Sequence, residues 1–233
     1  MRKIFFFILL IGCIFMLVLL VPRFIKIRQV SCHSQFGPCS GYLSKLVGQA
    51  ESKSLNEAKG YLKSLLLDEA QVVDFSLRFA LPNRLQVDIV ERKAMVGLRQ
   101  VGINGFALID KTGRIIDFQE KTLLPVLMFE KGIDNFEVGK KVSLKVRFAG
   151  ELLSRLSNPY QVKQALIRDE CLEIELNQGL KVVFPLEGDV DVLLGSLQLV
   201  LSRLNTEAED FKIGEEQIRP RLIDLRFKNP VIK

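Results

Sequence analysis

One stretch constrains this chain more than any other. Ile4 to Val21 (IFFFILLIGCIFMLVLLV) runs for 18 residues without a charged or strongly polar side chain. A helix of that length covers ~27 Å, close to the hydrocarbon thickness of a bilayer. Arg2 and Lys3 flank one end, and Arg23, Lys26 and Arg28 flank the other, where they can reach headgroups. A single transmembrane helix is therefore expected over residues 4–21. A cleaved signal peptide is the rival reading. Its apolar core is normally shorter and ends at small residues, whereas this run leads into Val21-Pro22-Arg23. Leu10-Ile11-Gly12-Cys13 resembles a lipoprotein signal whose cysteine is lipidated. Cutting there would leave Ile14 to Val21 where a polar tether is expected, so Cys13 is read as packed within a membrane helix.

The same segment accounts for the charge. The formal net charge is +6 and the pI about 9.2, which would suit a nucleic-acid binder. Five of the 33 basic residues precede residue 29 and no acid precedes Glu51, leaving 28 basic against 27 acidic groups in the body. The basicity belongs to the anchor, and the nearly neutral body, which lacks Trp, argues against a nucleic-acid groove. With 48% hydrophobic and 26% charged residues the chain is not disordered wholesale.

Charge does not orient the anchor, because basic residues balance across it. Cys32 and Cys39 lean towards an oxidising compartment. The loop between them contains Gly37-Pro38 and can turn, so a disulfide is sterically reasonable. Two reduced thiols remain an alternative, as does a metal site recruiting His33, the only histidine. Cys171 is left over and shares strand phase with Glu173 and Glu175, away from the centre of a core.

Beyond the anchor the periodicity alternates between helix and strand. Ile27 to Ser31 reads as a short strand and Ser40 to Gly48 as a short helix. Ser54 and Glu57 form a capping box ahead of Leu55, Ala58, Leu62, Leu65 and Leu66, a helix running to about Asp68. Val73, Phe75, Leu77 and Phe79 then alternate with polar residues, Leu81 to Arg84 turns, and Leu85, Val87 and Ile89 return. The order β-α-α-β-β predicts a small α+β module with two helices on one sheet face. A second region begins near Ala94. Asp110-Lys111-Thr112-Gly113 is read as a hairpin turn, and Leu124-Pro125-Val126 as extended. Leu144 to Leu156 is read as a helix, Cys171 to Phe184 as a hairpin, and Asp189 to Asn205 as an amphipathic helix. The stripe Val190, Leu193, Leu194, Leu197, Leu201 and Leu204 is expected to pack on a sheet rather than in a coiled coil. A closing strand is expected over Leu222 to Phe227. It should form a sheet edge, with Ile223, Leu225 and Phe227 on one face and Leu222, Asp224 and Arg226 on the other.

Catalytic groups are scarce. A single histidine limits Ser-His or Cys-His chemistry, and no G-x-S-x-G, phosphate-binding glycine loop or H-E-x-x-H occurs. Asp88 and Glu91, or Glu173 and Glu175, alternate with apolar residues and read as solvated sheet faces rather than a glycosidase pair. No catalytic residue, metal, cofactor or small-molecule substrate is expected. What remains is a tethered α+β protein that binds, and a sheet edge can bind by accepting a strand.

Four stretches resemble the FtsQ/DivIB family of bacterial cell-division proteins. Leu81-Pro82-Asn83-Arg84-Leu85-Gln86-Val87-Asp88-Ile89-Val90-Glu91-Arg92 is similar to its strand-turn-strand ending in Glu-Arg. Ala107 to Ile115 (ALIDKTGRI) resembles its "lvD-x-x-G-x-v" segment. Leu180-Lys181-Val182-Val183-Phe184 leads into an amphipathic helix, as the family's late strand does. Ile223-Asp224-Leu225-Arg226-Phe227 resembles its closing "iDLRf/y" strand. The sequence departs from the pattern at Ala94, where the family often has Pro, in its short tail, and in the Cys32–Cys39 loop.

The resemblance implies a cytoplasmic tail (1–3), a transmembrane helix (4–21), a POTRA-type domain (27–93) and an FtsQ/DivIB-type β-domain with amphipathic helices (94–233). It implies N-in, C-out topology at the division septum. It also implies a non-catalytic divisome scaffold that binds small bitopic proteins of the FtsB/FtsL type and helps regulate septal peptidoglycan synthesis. In the family the partner docks along the closing strand, which here matches Leu225, Arg226, Phe227 and Asn229. Phe227 would be the anchor, with core packing as its rival role because of its phase. Glu91 and Arg92 are expected to be structural. A POTRA-bearing secretion or envelope-assembly component is the alternative reading, and a membrane-anchored hydrolase a more distant one.

Overall fold

The computed structural model describes residues 25–100, 104–130, 136–168, 170–176, 179–210, 221–227 and 229–233, with side chains described to residue 204 of the helix that ends at 210. The apolar run Ile4–Val21 and Cys13 lie outside these residues. Among the described residues no helix is long and apolar enough to cross a membrane. The fold is α+β, and it divides into two compact units, the first ending at Arg92 and the second running Lys93–Lys233.

The first unit contains β1 (Gln29–Ser34), β2 (Gly37–Pro38), α1 (Gly41–Gly48), α2 (Leu55–Asp68), β3 (Val72–Ala80) and β4 (Arg84–Glu91). Its sheet has the order β2-β1-β4-β3. β1 lies parallel to β4, which forces the chain to cross over between them, and the two helices make that crossover. Each helix starts on a serine. The Ser40 hydroxyl accepts from the Leu43 N–H at 3.3 Å. At α2 the Ser54 hydroxyl accepts from the Glu57 N–H at 3.3 Å, and the Glu57 carboxylate accepts from the Ser54 N–H at 3.0 Å. That backbone bond, followed by the hydroxyl, holds the Glu57 carboxyl below its usual range. The helices bury Leu43, Val47, Ala58, Leu62 and Leu66 against Leu85, Val87 and Ile89 of β4.

Two local readings change. Ile27 precedes β1 and is fully buried, bonding through its N–H to the Lys53 carbonyl at 3.0 Å. β3 has a register shift between Val72 and Asp74, so Val72 faces inward and Val73 is exposed. Strict alternation from Val73 missed this because a bulge inserts one residue and flips the phase.

The second unit contains β5 (Ala94–Gln100), β6 (Phe106–Asp110), β7 (Ile115–Gln119), β8 (Val126–Phe129), α3 (Leu144–Tyr160), β9 (Gln164–Arg168), β10 (Cys171–Glu175), β11 (Lys181–Pro185), α4 (Val190–Asp210), β12 (Leu222–Asp224) and β13 (Val231–Ile232). Its mixed sheet has the order β13-β12-β11-β10-β9-β8-β5-β6-β7. The β6–β7 turn is built by Asp110, whose buried carboxylate accepts from the Thr112 N–H (2.8 Å), the Thr112 hydroxyl (2.7 Å) and the Arg114 N–H (2.9 Å). Gly113 completes it at φ +78°, where a side chain would be strained.

One core joins Val96, Leu98, Leu127, Phe129, Leu172, Ile174, Val182 and Phe184 of the sheet to Leu152, Leu153 and Leu156 of α3 and Val190, Leu197 and Val200 of α4. The α4 stripe thus packs in this core, with Leu193, Leu194, Leu201 and Leu204 partly buried against it. Gly150 lets α3 approach β5 closely. A Cβ there would sit 3.1 Å from Val96 Cγ2 and 3.4 Å from Ile109 Cδ1.

A candidate partner-docking edge at the end of the nine-stranded sheet

β12 enters the sheet beside β11, in parallel, with Lys181↔Leu222, Val182↔Ile223 and Val183↔Asp224 as register pairs. Ile223 is fully buried, and Leu225 continues inward at 4% exposure. The Leu225 N–H donates to the Val183 carbonyl at 2.8 Å, which is the last ladder contact before the chain bends.

Asp224 sits on the opposite face and is only 7% exposed. A carboxylate so covered needs partners, and Arg226 supplies them. Arg226 Nε lies 2.9 Å from Oδ1, Nη2 lies 2.6 Å from Oδ2, and the Arg226 N–H donates to Oδ1 at 3.1 Å. The side-chain hydrogen bond from Arg226 is the main reason that the Asp224 carboxyl is held below its ordinary range. Burial opposes it. The same pairing raises Arg226 further above its already high value.

The clamp bends the chain and ends the strand. The expected closing strand over Leu222–Phe227 is thus corrected to three residues, and Phe227 leaves the phase of Ile223 and Leu225. Phe227 is 58% exposed, with the Arg226 guanidinium 5.8 Å from its ring centroid. Asn229 is also exposed.

β12 is not the edge either. The chain folds back, and β13 pairs antiparallel with it through Ile223↔Ile232 and Asp224↔Val231. The Arg221 and Leu222 N–H groups donate to the Lys233 carbonyl at 2.8 and 3.0 Å, and the Lys233 N–H returns a bond to Leu222 at 2.9 Å. Val231 and Ile232 expose their side chains beside Phe227 in sequence, so the sheet ends in a short strand with apolar surface. Of the four residues matched to a docking strand, Leu225 is core, Arg226 holds Asp224, and Phe227 and Asn229 face solvent. Asp224 and β13 were missed. Asp-x-Arg flanking one apolar residue, and the turn-prone Asn229-Pro230, were the available signals.

The remaining candidates are placed as follows. Cys32 and Cys39 form a disulfide across the β1–β2 hairpin, with Cα atoms 5.5 Å apart. His33 is exposed beside them. Cys171 is buried outside the core cluster, its thiol donating to the Arg168 carbonyl at 3.0 Å. Glu91 exchanges backbone bonds with the Gln35 side chain at 2.8 and 2.9 Å, and the Arg92 N–H donates to Gln71 at 2.7 Å.

Among the described residues no group of three or more His, Cys, Asp or Glu stands close enough to hold a metal. A groove of about 700 Å³ opens between Phe106, Leu123, Met128 and Lys163 and reaches Ser157 and Asn158 at the end of α3, and no carboxylate, histidine or cysteine lines it. The chain matches no family model, and no curated protein matches it.

Proposed function

We propose that this chain is a membrane-anchored scaffold of the FtsQ/DivIB type. The first unit plays the part of a POTRA-type domain, and the second presents the end of its sheet to a strand from a small bitopic division protein of the FtsB/FtsL type. The anchor is residues 4–21, with both units outside the cytoplasm. The incoming strand takes the place of β13 along β12, and Phe227 packs on its apolar residues. Catalysis has no part in this role.

The observation that carries the reading is the end of the sheet. A two-residue strand covers the outer side of β12, and an exposed aromatic stands just beyond it. Short edge strands block accidental pairing yet are readily exchanged for a longer one. The order of the four resembling stretches supports it further. They fall on the turn after β3 with β4, on β6 with the turn into β7, on β11 leading to α4, and on β12 with the bend that follows it.

The test is co-purification of the full chain with tagged FtsB- and FtsL-type proteins from its own host, together with imaging of a fluorescent fusion. Capture of both and a band at mid-cell are expected. A fusion spread evenly around the envelope, with no capture, would overturn the proposal.

A further inference from the structure

Three segments of the first unit meet where the chain enters the fold. Leu55 donates its N–H to the Ile25 carbonyl at 2.9 Å, and Ser52 donates to Ile27 at 2.8 Å. Arg28 donates its N–H to the Asn83 carbonyl at 3.0 Å. The tip of the β3–β4 hairpin is therefore bound to the residue just before β1. Leu81 caps this tip and is 81% exposed, beside exposed Pro82. Lys26, Arg28 and Arg84 are exposed around it, with Lys53 partly so. Glu51 and Glu57 are the acids close by. Glu51 accepts from the Val30 N–H, and Glu57 is tied to the start of α2, so cations dominate this end.

An exposed leucine alone means little. Its place in the chain gives this one meaning. Only Pro22, Arg23 and Phe24 separate Val21 from Ile25. Four Cα steps reach at most ~14 Å, and the interfacial layer outside the hydrocarbon is itself ~5–7 Å deep. With the anchor in the bilayer, the tip that Arg28 binds cannot stand far from the headgroups. We propose that this rim is a membrane-docking surface: Leu81 and Pro82 enter the interface, and Lys26, Arg28, Lys53 and Arg84 meet anionic lipid headgroups. The inference rests on the anchor proposed above. An apolar tip ringed by basic side chains suits the interface, where apolar groups reach the acyl boundary and cations meet lipid charge. Docking would fix the tilt of the first unit at the membrane.

The chain has no tryptophan, so a single introduced indole reports one position. Ile14→Trp, Leu81→Trp and Phe36→Trp would be made in the full chain. Phe36 is exposed at the far end of β1, the control site. Each would be reconstituted in vesicles of phosphatidylcholine and phosphatidylglycerol, brominated near the headgroup or at mid-bilayer.

Expected are quenching of the Ile14→Trp protein by the deep label, quenching of the Leu81→Trp protein by the shallow label, and none for Phe36→Trp. Replacing Arg28 and Arg84 by serine should lower the docking equilibrium constant read at position 81 about five-fold per charge. Quenching at 14 without quenching at 81 would overturn the rim and leave the anchor standing. Quenching at 81 alone would leave the rim and remove the anchor. Quenching at neither position removes both, and equal quenching at 36 and 81 overturns the specific orientation.

Discussion

Replacing Phe227 by alanine separates binding from folding. The residue stands outside the core cluster and is 58% exposed, so its loss should change unfolding stability by no more than about 0.5 kcal/mol. Binding should respond differently. A phenylalanine offers about 150–250 Å², so at 58% exposure roughly 100 Å² is open to a partner. At about 25 cal/mol per Å² its burial contributes ~2–3 kcal/mol, or about 30- to 150-fold in Kd. The assay is a titration of the full chain in nanodiscs with a labelled bitopic partner, with thermal unfolding measured in parallel. Phe118→Ala is the control, because Phe118 is exposed to a similar degree on β7, at the other edge of the sheet. An unchanged Kd for folded Phe227→Ala, or an equal loss from Phe118→Ala, would refute the assignment of this edge.

Other outcomes follow from the same geometry. Removing Val231–Lys233 takes away the strand that covers β12 and should tighten partner binding; weaker binding in the same titration would mean that the partner sits on β13 itself. Asp224→Asn should cost about 1–3 kcal/mol in chemical denaturation, because a covered carboxylate loses its charge-assisted bonds to Arg226. The Asp224 carboxyl is lowered on folding, so its contribution is complete above the ordinary carboxylate range and is lost as pH falls through its folded value. The variant should therefore lose less stability than the parent between neutral pH and about pH 3, and parallel curves would exclude Asp224 from the acid limb. Gly150→Val should destabilise by more than about 2 kcal/mol, since even a Cβ meets Val96 at 3.1 Å; a wild-type melting curve would refute close α3–β5 packing. Cys32→Ala with Cys39→Ala should cost about 2 kcal/mol through the short loop that the disulfide closes, and adding reductant to the parent should cost the same.

The parts legible in the sequence are those whose cause is local. Ser54 and Glu57 are three residues apart and satisfy each other's N–H groups, so the start of α2 could be read from adjacent letters. The α4 stripe follows from helical period alone, though the pattern overlooked Val200, which is buried beside Leu197. Strands whose pairing is distant were harder. β9 (Gln164–Arg168) lies parallel to β8 on one side and antiparallel to β10 on the other, and its short half-buried run Ala165-Leu166-Ile167 carries no turn signal of its own. The position of Val73 depended on a bulge, which alternation cannot register.

The candidate edge shows the limit most clearly, because a competition decides it. By alternation Phe227 belongs with Ile223 and Leu225, and it would be core if the strand continued. The strand stops after Asp224, whose covered carboxylate takes the Arg226 guanidinium and also the Arg226 N–H, a local backbone bond that goes with the bend after Leu225. That bend turns Phe227 outward and lets the chain return through Asn229-Pro230 to lay β13 over β12. One buried carboxylate thus changes the aromatic from a packing residue into a presented one. The aspartate, read from sequence as a residue on the strand's other face, is what makes a docking role for Phe227 physically available.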